Sequence, residues 1–147
     1  MLKAVVDTNV VIAGVIATWL NSASASILRA LRSGEFRLFQ SDQKSLAELK
    51  RILHETAECM KPRWPEKEVE ALYLFVARRS RVIQANAMTS PSLTRDASDT
   101  KFLDLALAAD ADYLVTYDHR HLLRLKKIGR TKIVTPDKFM RALTRSQ

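Results

Sequence analysis

The stretch RDASDTKFLDLALAADADYLVTYD, Arg95 to Asp118, reads as a helix that delivers the chain into a buried strand. The helix is predicted to start near Ser98, with Phe102, Leu103, Leu105, Ala106 and Ala109 at spacings that share helix faces. Residues 113–116 (YLVT) read as the strand. Asp99 falls in the first turn of that helix, and Asp118 comes one residue after the strand motif.

The same alternation extends in both directions. Residues 2–6 (LKAVV) read as a strand buried on both faces, entering a helix through VVDTNVVIAGVIA. Residues 23–33 read as a helix stopped by Gly34, and residues 36–40 (FRLFQ) as a second strand. Ser41 or Asp42 can cap a helix that runs to about Met60, with Leu46, Leu49 and Leu53 on one face. Pro62 and Pro65 break it. Residues 66–80 follow as a helix carrying Val69, Leu72, Tyr73 and Val76. Residues 81–84 read as a short strand and 85–97 as a loop. Toward the end, residues 132–135 (KIVT) form the last predicted strand, and Pro136 opens a terminal helix. Alternating strands and helices predict an α/β fold, with a parallel sheet covered on both faces.

A chain of 147 residues is one ordinary domain, long enough to bury a core without staples. Its one cysteine, Cys59, excludes an intrachain disulfide and zinc sites built on cysteine pairs. Cys59 reads as a packed or idle thiol. Asp7, Thr8 and Asn9 interrupt the early apolar run, so no signal peptide or membrane span is expected there, and the expected location is the cytoplasm. Lys and Arg outnumber Asp and Glu by 24 to 16, a net charge of +8. That favours polyanionic partners, nucleic acid above all, although basic helix faces alone also produce such an excess.

Four acids stand out by position: Asp7 after the first strand, Glu48 two turns into a helix, Asp99, and Asp118. Asp7 and Asp118 belong at the carboxyl edge of a parallel sheet, where open α/β folds place their sites. Each has an ordinary explanation. Asp99 can complement a helix dipole, Glu48 can be a solvated helix acid, and Asp118 can cap a short helix starting near His119. Asp7 differs, because Val5, Val6, Val10 and Val11 surround it. A carboxylate between such runs needs a partner or a metal.

Taken together these residues resemble the PIN-domain family. VVDTN (Val5 to Asn9) is similar to the opening strand motif of that family, and SDQKSLAEL (Ser41 to Leu49) to the second motif, with its inward glutamate. The Arg95–Asp118 stretch resembles the third and fourth motifs joined. The resemblance runs down to KIVTPDKFM and is nearest to the bacterial branch described as toxin components of toxin–antitoxin pairs. It implies a three-layer α/β/α sandwich with a central parallel sheet, metal-dependent cleavage of RNA, a cognate antitoxin and a homodimer. Asp7, Glu48, Asp99 and Asp118 fall on the family's acidic quartet. Asn9 and Thr116 fall on positions that orient those acids, and Asp96 is a further supporting candidate. The chain departs from the branch at Asp96-Ala97, where Asp-Pro is common. It departs again around Asp118, which has Tyr117 before it and His119, Arg120 and His121 after it.

Crowded carboxylates stay ionised only where cations neutralise them, and hard oxygen ligands suit Mg²⁺ or Mn²⁺. One ion activates the attacking water; two ions roughly 3.5–4 Å apart also bind the leaving oxygen. Arg95, Lys101, Arg120 and Arg124 are the candidates for holding RNA by its phosphates. His119 and His121 are open to three roles: solvent exposure, phosphate contact or metal ligation. His54 reads as a surface or partly buried residue. Three other readings remain to be separated: a housekeeping RNA-processing nuclease without antitoxin, a nucleic-acid-binding module that no longer cleaves, and a phosphoacceptor domain. The last needs paired acids beside the first strand, and Asp7 has no acidic neighbour.

Overall fold

The computed structural model describes residues 1–16, 22–41, 43–60, 65–85 and 97–147. In chain order these form β1 (Lys3–Val6), α1 (Thr8–Ile16), α2 (Ala23–Arg32), β2 (Arg37–Ser41), α3 (Gln43–Cys59), α4 (Glu66–Arg79) and β3 (Ser80–Ile83). Then follow α5 (Ala97–Ala109), β4 (Tyr113–Val115), α6 (Leu122–Leu125), β5 (Lys127–Ile128), β6 (Thr131–Val134) and α7 (Pro136–Ser146). The predicted cap Asp42, the break at Pro62 and most of the 85–97 loop lie outside the described residues, as do Arg95 and Asp96.

The six strands form one sheet in the order β3-β2-β1-β4-β6-β5. All neighbours are parallel except β5 and β6, which are antiparallel. The central sheet is parallel as expected, and the antiparallel β5–β6 pair extends its edge. A two-residue strand carries no readable periodicity, and the hairpin depends on Gly129 at φ +55, a conformation that favours glycine.

Both faces of the sheet are covered, as near-continuous apolar strands require. In β1, Ala4 and Val6 join a core with α1, α2, α3, α4 and α7, whereas Val5 joins a second core with α5 and α6. Alternate side chains of one strand thus feed opposite layers. On the first face α1 lies very close to α2. A Cβ at Gly14 would come within 2.6 Å of the Ser24 carbonyl oxygen. Among the described residues no helix is long and apolar enough to cross a membrane.

The strand order determines where a cleft can open. From β1 the chain steps outward through β2 and β3, then returns to place β4 on the other side of β1. Connections therefore diverge between β1 and β4, and a crevice forms beyond their carboxyl ends. Asp7 directly follows β1 and Asp118 lies just past β4.

Candidate metal-binding cleft

Asp7 stands where the β1 ladder ends and α1 begins. Its N–H still donates to the Val115 carbonyl (2.9 Å), while its own carbonyl accepts from Val10 N–H (2.9 Å). Its carboxylate caps the new helix, with Oδ1 accepting from Asn9 N–H at 3.3 Å. Oδ2 accepts from the buried Thr116 hydroxyl at 2.8 Å. Asn9 thus supports Asp7 through its backbone, and Thr116 does so through its side chain. The same Thr116 oxygen accepts from Asp118 N–H at 3.0 Å.

Asp118 is held by the turn that follows it. Its Oδ1 accepts from the N–H groups of Arg120 (3.1 Å) and His121 (3.0 Å). Asp118 thus closes the turn ahead of α6 but does not cap that helix, whose N-cap is His121 with no side-chain cap bond. Asp99 is buried in the first turn of α5, and Glu48 is half-buried on α3. α3 and α5 belong to opposite layers, so the two acids approach the sheet edge from opposite faces.

Asp7, Glu48, Asp99 and Asp118 line one cleft of about 380 Å³, together with Thr8, Asn9, Ile52, Phe102, Tyr117 and His121. Ile52 and Phe102 follow Glu48 by four and Asp99 by three residues, the spacing that shares a helix face. Tyr117 reaches Ser24 of α2 with its hydroxyl, a contact between residues 93 apart that no local pattern signals. His121 is half-buried in the cleft, whereas His119 is exposed. Asp104 is also buried but does not line the cleft.

Electrostatics single out Asp7. Burial raises its pKa above the ordinary carboxylate value, and the charges of Asp118 and Glu48 raise it further. The Thr116 and Asn9 hydrogen bonds oppose that shift without overcoming it. Among the described residues neither Asp7 nor Asp118 has an ion-pair partner. Acids at the opposite sheet edge are different. Arg130 pairs with both Asp110 and Asp112, and Lys3 N–H donates to Asp112 at 2.9 Å.

The candidate basic residues divide. Arg120 and Arg124 are exposed on the segment after Asp118. Lys101 instead bonds Glu48, its ammonium on Oε2 and 5.2 Å from the Phe102 ring centroid. Among the described residues no three acidic, histidine or cysteine groups converge into a ready-made metal centre. The donor chemistry still fits a divalent cation: four carboxylates line the cleft, and a repulsion is felt at Asp7 that a cation would relieve.

The class is thus a doubly wound α/β fold with an acidic cleft at its switch point. A model of the PIN domain matches residues 3–120, and the chain belongs to the PIN domain family, whose members are typically nucleases. The chain is similar in fold to the crystal structure of PAE2754 from Pyrobaculum aerophilum. The TM-score is 0.61 at 16% identity, over 98% of this chain and 90% of that one. No curated protein matches the sequence significantly.

Proposed function

We propose that this chain is an endoribonuclease that uses Mg²⁺ or Mn²⁺ held by Asp7, Glu48, Asp99 and Asp118. The observation that carries the reading is their convergence from four separate segments on one cleft at the switch point. A bound divalent cation supplies Lewis acidity and an activated water for in-line attack on a phosphodiester. The chain supplies position. Thr116 and Asn9 N–H hold Asp7, and the 119–121 turn holds Asp118. Asp96 is proposed to support Asp99. Arg120 and Arg124, with Arg95, bind the RNA phosphates, in keeping with the net charge of +8.

The test is incubation of a mixed RNA pool with Mg²⁺, Mn²⁺ or EDTA, with the ends mapped. Internal cuts that need the cation support the reading. One observation favours a second reading, a nucleic-acid-binding module that does not cleave: although four acids line the cleft, no three such side chains among the described residues are grouped closely enough to hold a metal ion as they stand. RNA retention without cuts at any cation concentration would select it.

We further propose that the protein is the toxin of a toxin–antitoxin pair, supported by the resemblance of its motifs to that bacterial branch. A basic group of the antitoxin would enter the acidic cleft. Co-purification with a small protein encoded beside it, and inhibition by that protein, test this. Uninhibited recovery alone favours a housekeeping nuclease. A homodimer is expected on the same grounds, and Ile16 and Leu74 are exposed apolar residues on α1 and α4. Light scattering of the purified chain tests it.

A further inference from the structure

We propose that Lys101 is a built-in competitor for the cleft's divalent cation and sets its affinity by occupying Glu48; this rests on the metal-dependent reading above. Lys101 lies two residues after Asp99 on α5, yet its ammonium bonds Glu48 of α3, on the opposite layer. The contact therefore places a positive charge on one of the four acids that line the cleft. Both side chains are shielded, at 32% and 24% exposure, so water screens the pair only in part. The ammonium also rests 5.2 Å from the Phe102 ring, a wall of the same cleft.

From this position Glu48 still lines the same cleft as Asp7, Asp99 and Asp118. It is close enough to the cluster to join a ligand set, but one of its oxygens is engaged. A cation that recruits Glu48 must replace a charge-assisted hydrogen bond. A flexible lysine stem lets the ammonium withdraw without moving either helix.

The experiment is isothermal titration calorimetry of the full chain with Mn²⁺. It compares wild type with Lys101→Gln, Lys101→Arg and Lys132→Gln. Lys132 is exposed on β6 at the opposite end of the sheet, and its loss removes the same unit of charge. Lys101→Gln is expected to bind Mn²⁺ about tenfold more tightly, roughly 1.4 kcal/mol. Lys101→Arg keeps the competing charge and binds no more tightly than wild type, and Lys132→Gln stays within about twofold of it. Lys101→Gln affinity equal to or weaker than that of wild type would overturn the competitor role alone. If neither wild type nor Lys101→Gln binds Mn²⁺, the metal-dependent reading falls with it.

Discussion

The Thr116 hydroxyl donates to Asp7 Oδ2 across 2.8 Å, joining the residue after β4 to the residue after β1. Because the same oxygen accepts from Asp118 N–H, one buried atom sets the spacing of two candidate ligands. Thr116→Val keeps the shape and removes both bonds. It is expected to lower stability by about 1–3 kcal/mol, the scale of a lost buried hydrogen bond to a charged group. Cleavage should fall by about tenfold or more, as for other groups that orient metal ligands. Thr116→Ser should retain both properties. A Thr116→Val protein with wild-type rate would separate this hydroxyl from the site.

How far the sequence disclosed this arrangement depends on the range of each interaction. Elements with full turns or alternating strands, such as α3, α5 and β1, were legible to within about a residue. Asp7 was conspicuous because valines flank it, and it is indeed buried among them. The two-residue β5 was not legible, since pairing with β6 defines it and a hairpin turn fixes it. Lys101 read as an RNA-phosphate contact because nothing local reveals that its ammonium meets a glutamate 53 residues away. Tyr117 on Ser24 was hidden for the same reason.

The raised pKa of Asp7 fixes the sign of a pH effect. The folded protein holds the Asp7 proton more tightly than the unfolded chain, so this residue removes stability as pH rises from 3.8 through the raised folded value. The deficit persists at neutral pH when no cation offsets it. Asp7→Asn in EDTA should therefore melt higher than wild type at pH 7.5, with the difference shrinking as pH approaches 3.8. Excess Mn²⁺ should reverse the order, because it binds the folded wild type. A variant that melts lower throughout the EDTA series would show that Asp7 is not destabilised by its surroundings.

Asp99 and Asp104 share α5 and are both buried, but only Asp99 lines the cleft. Five residues apart on a helix, they point in different directions. Asp99→Asn is expected to reduce the initial cleavage rate at saturating Mn²⁺ by about 100-fold, the scale of losing one group that stabilises a transition state. Asp104→Asn should act mainly on melting temperature, and Asp96→Asn should have an intermediate rate. A folded Asp99→Asn enzyme that keeps its rate beside a dead Asp96→Asn enzyme would move the third ligand three residues earlier.

The most direct test of a metal-dependent nuclease site is the initial rate of internal RNA cleavage by wild type and Asp7→Asn, each with saturating Mn²⁺ and with EDTA. Circular dichroism confirms that both remain folded. Wild type should cleave with Mn²⁺ and stop with EDTA, while folded Asp7→Asn should fall by about 100-fold or more even with Mn²⁺. Cleavage by Asp7→Asn at the wild-type rate, or wild-type cleavage unchanged by EDTA, would contradict the assignment of this cleft.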